Sequence, residues 1–467
     1  MPRTVSLHLV SLGCPKNRVD AEVMLGVAAA SGFHVVDDAA DAVVIVVNTC
    51  GFVEDAKRES IDTIFSLARN KTEGKCTRLI VTGCLAQRYA HELAAEVPEI
   101  DHILGSGDVH RIREALDGSA ERVLVGSTPG TLVHASDPRM VSTGVASAYI
   151  KIAEGCDRHC SFCVIPQLRG KHMSRELDDV VREAKHLAEH GILEVNLVSQ
   201  DTSAYGRDLG QSNRSASLAA LVRNVAEVPG LRWIRLLYLY PDELDDELVE
   251  LLASHPHVVP YVDMPMQHAS DAVLTRMKRG HRQARLRRIV ERLRSHVPNL
   301  TLRSAFIVGF PGETDADFDK LCDFVRWAQF EHLGVFRFSS EEGTSAHQLP
   351  DHPTKTVSYR RARKLMALQR RIARANNQKL VGKQLQVLVE GASPEHELVM
   401  TGRHAGQAPE VDGQVWFTES DVLPGQMWNA EVVQAADYDV VVRTLGETPY
   451  AQATAKRTIR MQLPVVR

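Results

Sequence analysis

The stretch Gly155-Cys156-Asp157-Arg158-His159-Cys160-Ser161-Phe162-Cys163 sets three thiols at C-x3-C-x2-C spacing behind an apolar run, Tyr149 to Ala153. Thiolates are soft ligands, suited to iron–sulfur clusters or to zinc. A structural zinc ion takes four protein ligands, whereas three cysteines on a four-iron cluster leave one iron free for a substrate. The spacing therefore points to a reactive centre. Recruitment of His159 as a fourth ligand would instead make a zinc knot.

Around this loop, residues 146–352 repeat a strand–helix rhythm six times. Strands are expected at Tyr149–Ala153, Leu193–Val198, Trp233–Leu239, Val258–Met264, Thr301–Val308 and Leu333–Phe338. Helices fill the gaps, among them Leu177–Glu189 and Asp317–Phe330. Thr314-Asp315-Ala316-Asp317 opens the latter with a capping-box pattern and acids in the first turn. Six parallel strands with right-handed crossovers curl toward a partial barrel whose C-terminal mouth holds the site.

Residues 1–130 also alternate strand and helix, which implies a separate parallel α/β sheet. Strands are expected at Val5–Val10, Ala42–Val47 and Arg78–Thr82, with a fourth ending near Ile103, and helices at Asp20–Ala30, Val53–Ala68 and Tyr89–Val97. Cys14, Cys50 and Cys84 each follow the C-terminal end of a strand, 36 and 34 positions apart. That edge of an open α/β sheet is where ligands bind, so three distant thiols can meet there. Cys76 precedes its strand and belongs to the opposite edge; Cys322, inside a helical pattern, reads as core.

Residues 131–145 read as a linker. The segment 353–380 is a basic helical connector with nine Lys or Arg, no acid, and an apolar stripe of Leu365, Leu368 and Ile372. Residues 381–447 alternate as a small all-β, OB-like barrel, and 448–467 form a tail bearing Lys456, Arg457 and Arg460. From 382 to 450 there are 3 basic and 11 acidic residues, which suits a basic protein partner better than RNA phosphates.

The 467 residues are 44% hydrophobic and 24% charged with a net charge of −4, the balance of a globular multidomain chain without a global basic field. Eight cysteines are too sparse for a secreted disulfide scaffold, and six of them fall into two triads suited to a reducing cytosol. The run Val5 to Leu12 before Gly13-Cys14 is too short for a lipoprotein signal and is broken by His8. No stretch approaches the roughly 20 apolar residues of a membrane span. A cytoplasmic protein without membrane contact is expected.

Further polar residues gather at the mouth: Gln200 and Asp201 after the second strand, Gln267 and His268 after the fourth, and Arg303 on the fifth. Gly309-Phe310-Pro311-Gly312-Glu313 ends the fifth strand, where glycines let the backbone approach a ligand.

The cysteine loop resembles that of the radical S-adenosylmethionine (SAM) superfamily, which makes Cys156, Cys160 and Cys163 the catalytic cluster ligands. The resemblance implies that the free iron chelates SAM and that SAM is reduced to a deoxyadenosyl radical. It places Phe162 against the adenine and Gln200 near the amino group, although Gln200-Asp201 stands where the superfamily commonly has Gly-Gly-Glu. Gln267, Arg303, Gly309 and Phe310 complete the expected SAM contacts.

An α/β domain bearing thiols, a radical SAM barrel and a terminal domain similar to TRAM together resemble the methylthiotransferase family over nearly the whole chain. The resemblance implies two 4Fe–4S clusters, on Cys14, Cys50, Cys84 and on Cys156, Cys160, Cys163, the first carrying the sulfur that is methylated and inserted. Ser11-Leu12-Gly13-Cys14-Pro15-Lys16-Asn17, Leu197-Val198-Ser199-Gln200-Asp201-Thr202 and Tyr261-Val262-Asp263-Met264-Pro265-Met266-Gln267-His268 are similar to the protein-modifying branch. That branch acts on an aspartate β-carbon of ribosomal protein uS12, free or in the small subunit. A low-potential electron donor is the further partner implied; the basic helix 353–380 either touches ribosomal RNA near the substrate loop or merely packs on the barrel. The alternatives are the tRNA-adenosine branch, a non-catalytic iron–sulfur electron carrier, and a zinc-stapled binding protein.

Overall fold

Short runs of Val, Ile and Leu form strands because β-branched chains pack well on a pleated surface. The computed structural model describes residues 5–126, 131–210, 217–393, 395–419 and 421–447. Its first sheet contains β1 (Ser6–Ser11), β2 (His34–Val35), β3 (Val44–Thr49), β4 (Arg78–Gly83), β5 (His102–Leu104) and β6 (Val123–Leu124). They are parallel, in the order β2-β1-β3-β4-β5-β6. The edge strands β2 and β6 are two residues long, too short to show an alternation in sequence.

Alternation sends Leu7, Leu9, Val44 and Val46 to one face of this sheet and Ile45, Val47, Leu79 and Val81 to the other. The first face packs under the helix Pro15–Ala30. That helix is buried almost all round because its far side lies against the second domain; even Arg18, Asp20 and Glu22 are inside. Tyr149, Trp233 and Tyr261 of the second domain share its core.

The second sheet is β7 (Ser147–Lys151), β8 (Glu194–Val198), β9 (Trp233–Leu236), β10 (Val258–Asp263), β11 (Thr301–Val308) and β12 (His332–Arg337), all parallel and side by side in sequence order. This is the six-stranded partial barrel expected. The capping box forms: Thr314 Oγ1 accepts from Asp317 N at 3.1 Å, and the Asp317 carboxylate accepts from Thr314 N at 3.1 Å. Residues 131–146 contain no helix or strand, yet they are strapped down; Arg139 donates to Glu22 at 2.8 Å and to Tyr149 O at 2.6 Å. The long helix Lys355–Gln378 buries Leu365, Leu368 and Ile372 against the barrel.

Five strands, Gln384–Ala392, Met400–His404, Val415–Phe417, Met427–Ala435 and Val440–Glu447, close into a terminal barrel. The tail with Lys456, Arg457 and Arg460 lies outside the described residues. The loop after Met400–His404 plugs the second domain's interior. Tyr149 Oη donates to Pro409 O at 3.2 Å, Arg235 to Ala405 O at 2.9 Å, and Tyr261 Oη to Asp412 at 2.6 Å. Glu194 sits fully buried between Arg235 at 3.0 Å and Arg403 at 2.5 Å. Several of the acids expected to face a basic partner are instead engaged within the chain: Asp412, its side chain buried, on Arg303 at 3.4 Å, half-buried Glu390 on Arg403 at 2.6 Å, and exposed Glu410 on Arg18 at 2.9 Å.

Glu194→Ala leaves buried Arg235 without its counter-ion and Arg403 with Glu390 alone, and urea denaturation should register a loss of about 3–5 kcal/mol. Burial pushes the Glu194 carboxyl up, but Arg403 and Arg235 outweigh it and hold it at about 2, below the ordinary 4.5. A depressed carboxylate stabilises the fold above its unfolded value, and that contribution fades as pH falls toward the folded one. Stability measured from pH 5 down to about 2 should therefore drop less steeply in Glu194→Gln than in the parent.

Candidate active site with two cysteine triads

Because β1, β3 and β4 are neighbours, Cys14, Cys50 and Cys84 at their C-terminal ends converge. Gly13 has φ +92, and a Cβ there would lie 2.9 Å from Cys50 Cβ and 3.1 Å from its Sγ. Gly51 is as confined, its missing Cβ 2.8 Å from Cys84 O. Asn17 ties two strand ends together, donating to Leu12 O at 3.0 Å and Thr49 O at 2.9 Å, while Asn48 donates to Asn17 O at 2.7 Å. Ser60 clamps Cys50 through its backbone N and O, both at 3.0 Å.

The thiols sense each other electrostatically. Burial pushes Cys50 up to about 12, with Cys84 and Cys14 adding to the rise. Burial also raises Cys84, against the pull of Arg169. Burial acts the same way on Cys14, but Lys16 and Arg169 together overcome it and lower that thiol. Cys76 hangs at the other edge with its Sγ on Arg78 O at 3.3 Å, and Cys322 is core, both as expected.

The barrel triad sits in a loop pinned from three sides. Cys156 N donates to Gly170 O at 3.1 Å, Ser161 N to Met277 O at 3.1 Å, and Ala346 N to Ser161 O at 2.8 Å. Gly155, at φ +78, faces the Lys171 backbone so closely that no side chain fits. Burial pushes Cys163 up to about 12 and Cys156 to about 11. Arg279 donates to Cys160 Sγ at 3.6 Å, and Arg158 N to Cys156 Sγ at 3.4 Å. Arg158 and Arg279 also flank the Tyr240 ring, 3.8 and 4.2 Å from its centroid.

Between the triads runs a buried ionic chain. Arg169, 2% exposed, ends the short helix Ile165–Arg169 that follows Cys163. It donates to Cys84 Sγ at 3.4 Å, to Asp20 at 2.7 Å and to Asn17 Oδ1. Lys151 joins Asp20 to Glu154, at 2.6 Å from the latter, and Gln200 Nε2 donates to Glu154. Cys84 packs on Val164 and Leu168 of the same turn. At the rim, buried Glu341 receives Lys57 at 3.0 Å and Arg88 at 2.7 Å, and Lys16 Nζ lies 3.4 Å from the Tyr238 ring centroid.

The remaining expected residues divide. Phe162 borders a small apolar cluster with Phe310 and Phe338, whose rings meet edge-on at 5.1 Å. Gln200 and Asp201 reach the mouth. Gln267, at φ 70, is bonded through its backbone to Ala305 O and Ile307 N. Arg303 does not stand ready for a ligand; Asp263 at 2.9 Å and Asp412 at 3.4 Å hold its guanidinium beside the plugging loop. Gly309 needs its glycine for a different reason than expected. At φ +75, a Cβ would run into Ser358 of the long helix. Arg169, Lys151, Glu154 and Asp20 were not anticipated, since single charges in a sequence do not announce which partners burial will give them.

The donor set fits the groups that the sequence resemblance implies. Among the described residues no three His, Cys, Asp or Glu gather tightly enough for a single metal ion, and His159 is exposed. A four-iron cluster holds its thiolates further apart than one ion does. Gln200 Oε1, Asp201 Oδ1 and Arg279 Nε are buried without a hydrogen-bond partner, so the mouth offers unsatisfied groups to a polar ligand.

The description "Uncharacterized protein family UPF0004" matches residues 6–105, the radical SAM superfamily residues 150–325, and the TRAM domain residues 381–445. The ribosomal protein uS12 methylthiotransferase RimO of Sorangium cellulosum is 58% identical over 94% of this chain and 91% of its own. The protein of the same name from Myxococcus xanthus is 48% identical over 94% and 92%. Among solved structures, the radical SAM methyltransferase TsrM from Kitasatospora setae, with cobalamin and a [4Fe-4S] cluster bound, aligns with a TM-score of 0.51 at 18% identity over 72% of each chain. That likeness is one of fold.

Gly13→Ala should force Cys50 aside while leaving the barrel loop intact. After anaerobic reconstitution, iron and sulfide per folded chain should fall by about half; full iron content would show that the close approach does not matter.

Proposed function

The chain belongs to the ribosomal protein uS12 methylthiotransferases of the radical SAM superfamily, and on that footing we propose how its residues divide the reaction. The enzyme adds a methylthio group to the β-carbon of an aspartyl residue of uS12, using two 4Fe–4S clusters and two molecules of SAM. When bound, the barrel cluster supplies the electron that cleaves SAM and the other presents the sulfur to be transferred. Cys156, Cys160 and Cys163 would hold the first; Cys14, Cys50 and Cys84 the second.

What supports this division is the turn Ile165–Arg169, which follows Cys163 of one triad and packs on Cys84 of the other. Gln200 and Asp201 turn unpaired buried oxygens to the mouth, which suits the amino group of SAM. Phe162, backed by Phe310 and Phe338, suits the adenine. Gln267 frames the same opening, while Gly309 and Phe310 support it from the core and Arg303 acts only through the plugging loop. Arg158 and Arg279, stacked on Tyr240, add positive charge beside the barrel thiols. The buried Asp20–Lys151–Glu154–Arg169 chain ties the first domain to the strand and the turn on either side of the barrel thiols.

Among the described residues no helix is long and apolar enough to cross a membrane. We place the enzyme in the cytoplasm, where thiols stay reduced, with a low-potential electron donor and with ribosomal RNA beside its substrate. The division of the chain at 1–130, 131–145, 146–352, 353–380, 381–447 and 448–467 belongs to the same reading. Relatives matched over more than nine-tenths of the chain bear the uS12 name, which favours a protein substrate over tRNA.

Incubating reconstituted enzyme with SAM, a reductant and either uS12 or tRNA decides the substrate. Methylthioaspartate in uS12 is expected, and methylthioadenosine in tRNA with uS12 unchanged refutes the reading. Cys160→Ala should abolish deoxyadenosine formation yet retain the N-terminal cluster. Cys50→Ala should still cleave SAM but insert no sulfur; methylthio product from that variant removes Cys50 from the site.

A further inference from the structure

The long helix Lys355–Gln378 turns its apolar stripe to the barrel and its cations outward, and the outward face is a groove rather than a flat surface. The groove encloses about 980 Å³ and is lined by Arg337, Lys355, Arg360, Arg363, Lys364 and Arg370, together with Tyr359 and Tyr438, and by no acid. Arg337 closes β12 on the mouth side and touches Asp55 at 3.2 Å, just past Cys50, so one end opens at the rim of the active site. Tyr438 of the terminal barrel marks the other end. Lys355 and Arg370 stand fifteen positions apart on the helix, on the order of 20 Å of cationic track.

Carboxylates at the border touch this track only loosely: Asp315 to Arg360 at 3.9 Å, Asp319 to Lys364 at 3.3 Å and Asp437 to Arg370 at 3.8 Å. Such exposed pairs are weak and give way to a phosphate. Arg361 is the exception; it is buried on Glu313 at 3.3 Å and does not belong to the track. Arginines dominate, and a guanidinium forks onto phosphate oxygens. Tyr359 is 56% and Tyr438 41% exposed, aromatic faces on which bases can stack. A strongly basic substrate protein would be repelled here.

We infer that this groove binds the phosphate backbone of ribosomal RNA, so that the enzyme takes uS12 in its RNA-bound form, with the target loop lifted to the rim while the RNA lies along the helix. The inference rests on the uS12 reading and adds the form in which the substrate is met. It is tested with the full-length holoenzyme and a triple variant, Arg360→Glu, Arg363→Glu and Arg370→Glu, all exposed helix positions.

Two readouts keep the outcomes apart: affinity for protein-free small-subunit RNA across a salt series, and methylthiolation of isolated uS12. The parent should bind the RNA with a steep salt dependence. The variant should bind at least about tenfold more weakly with a shallower slope, while its rate on isolated uS12 stays within about twofold, as removing phosphate contacts alone predicts. Equal RNA affinity of the two proteins overturns the inference. So does parallel loss of activity on isolated uS12, or preferential capture of the parent by phosphatidylserine vesicles. If the parent methylthiolates neither isolated uS12 nor small subunits, the uS12 reading fails, while the RNA arm still reports on the groove.

Discussion

The constraint on which the molecule turns is that Arg169 must be neutralised without water. A guanidinium taken from solvent is expensive unless every donor finds a partner. Here the partners come from two domains: Asp20, Asn17 and Cys84 from the first, Glu154 from the second. The cation can therefore be satisfied only when the domains are docked in one orientation. That orientation brings Cys84, at the end of β4, against the turn that follows the cysteine loop. Lys151 repeats the device one step along the chain, between Asp20 and Glu154.

Rigidity at this junction explains the unusual helix Pro15–Ala30. A surface helix keeps a polar face for solvent. This one is covered by a sheet on one side and a barrel on the other, so its charged residues become ligands of distant groups: Asp20 of Lys151 and Arg169, Glu22 of Arg139. Lys16 reaches the Tyr238 ring by the same logic, and its charge helps to lower the Cys14 thiol.

Much of this was legible beforehand, and the reasons are local. Strand ends are marked by hydrophobic runs, so the placement of Cys14, Cys50 and Cys84 follows from where the runs stop. The spacing within Cys156–Cys163 is a loop property and needs no tertiary information. The ionic chain was illegible because its members lie up to 149 positions apart and nothing periodic links them. Gly309 shows a subtler limit: a glycine at a strand end is the same letter whether a ligand or Ser358 comes close. Arg303 shows the converse, a cation on a barrel strand whose partner arrives from residue 412 in another domain.

The plug made by residues 404–412 bears on how the chain acquires its shape during synthesis. Glu194 meets Arg403 across 209 positions, so the second domain's interior can close only once the segment 404–412 has been made. Until then Glu194 has only Arg235, at 3.0 Å, as its counter-ion, and the inner wall stays open. Closure of that interior is consequently a late event in folding, because its longest-range contacts form after the domain's own strands can pair.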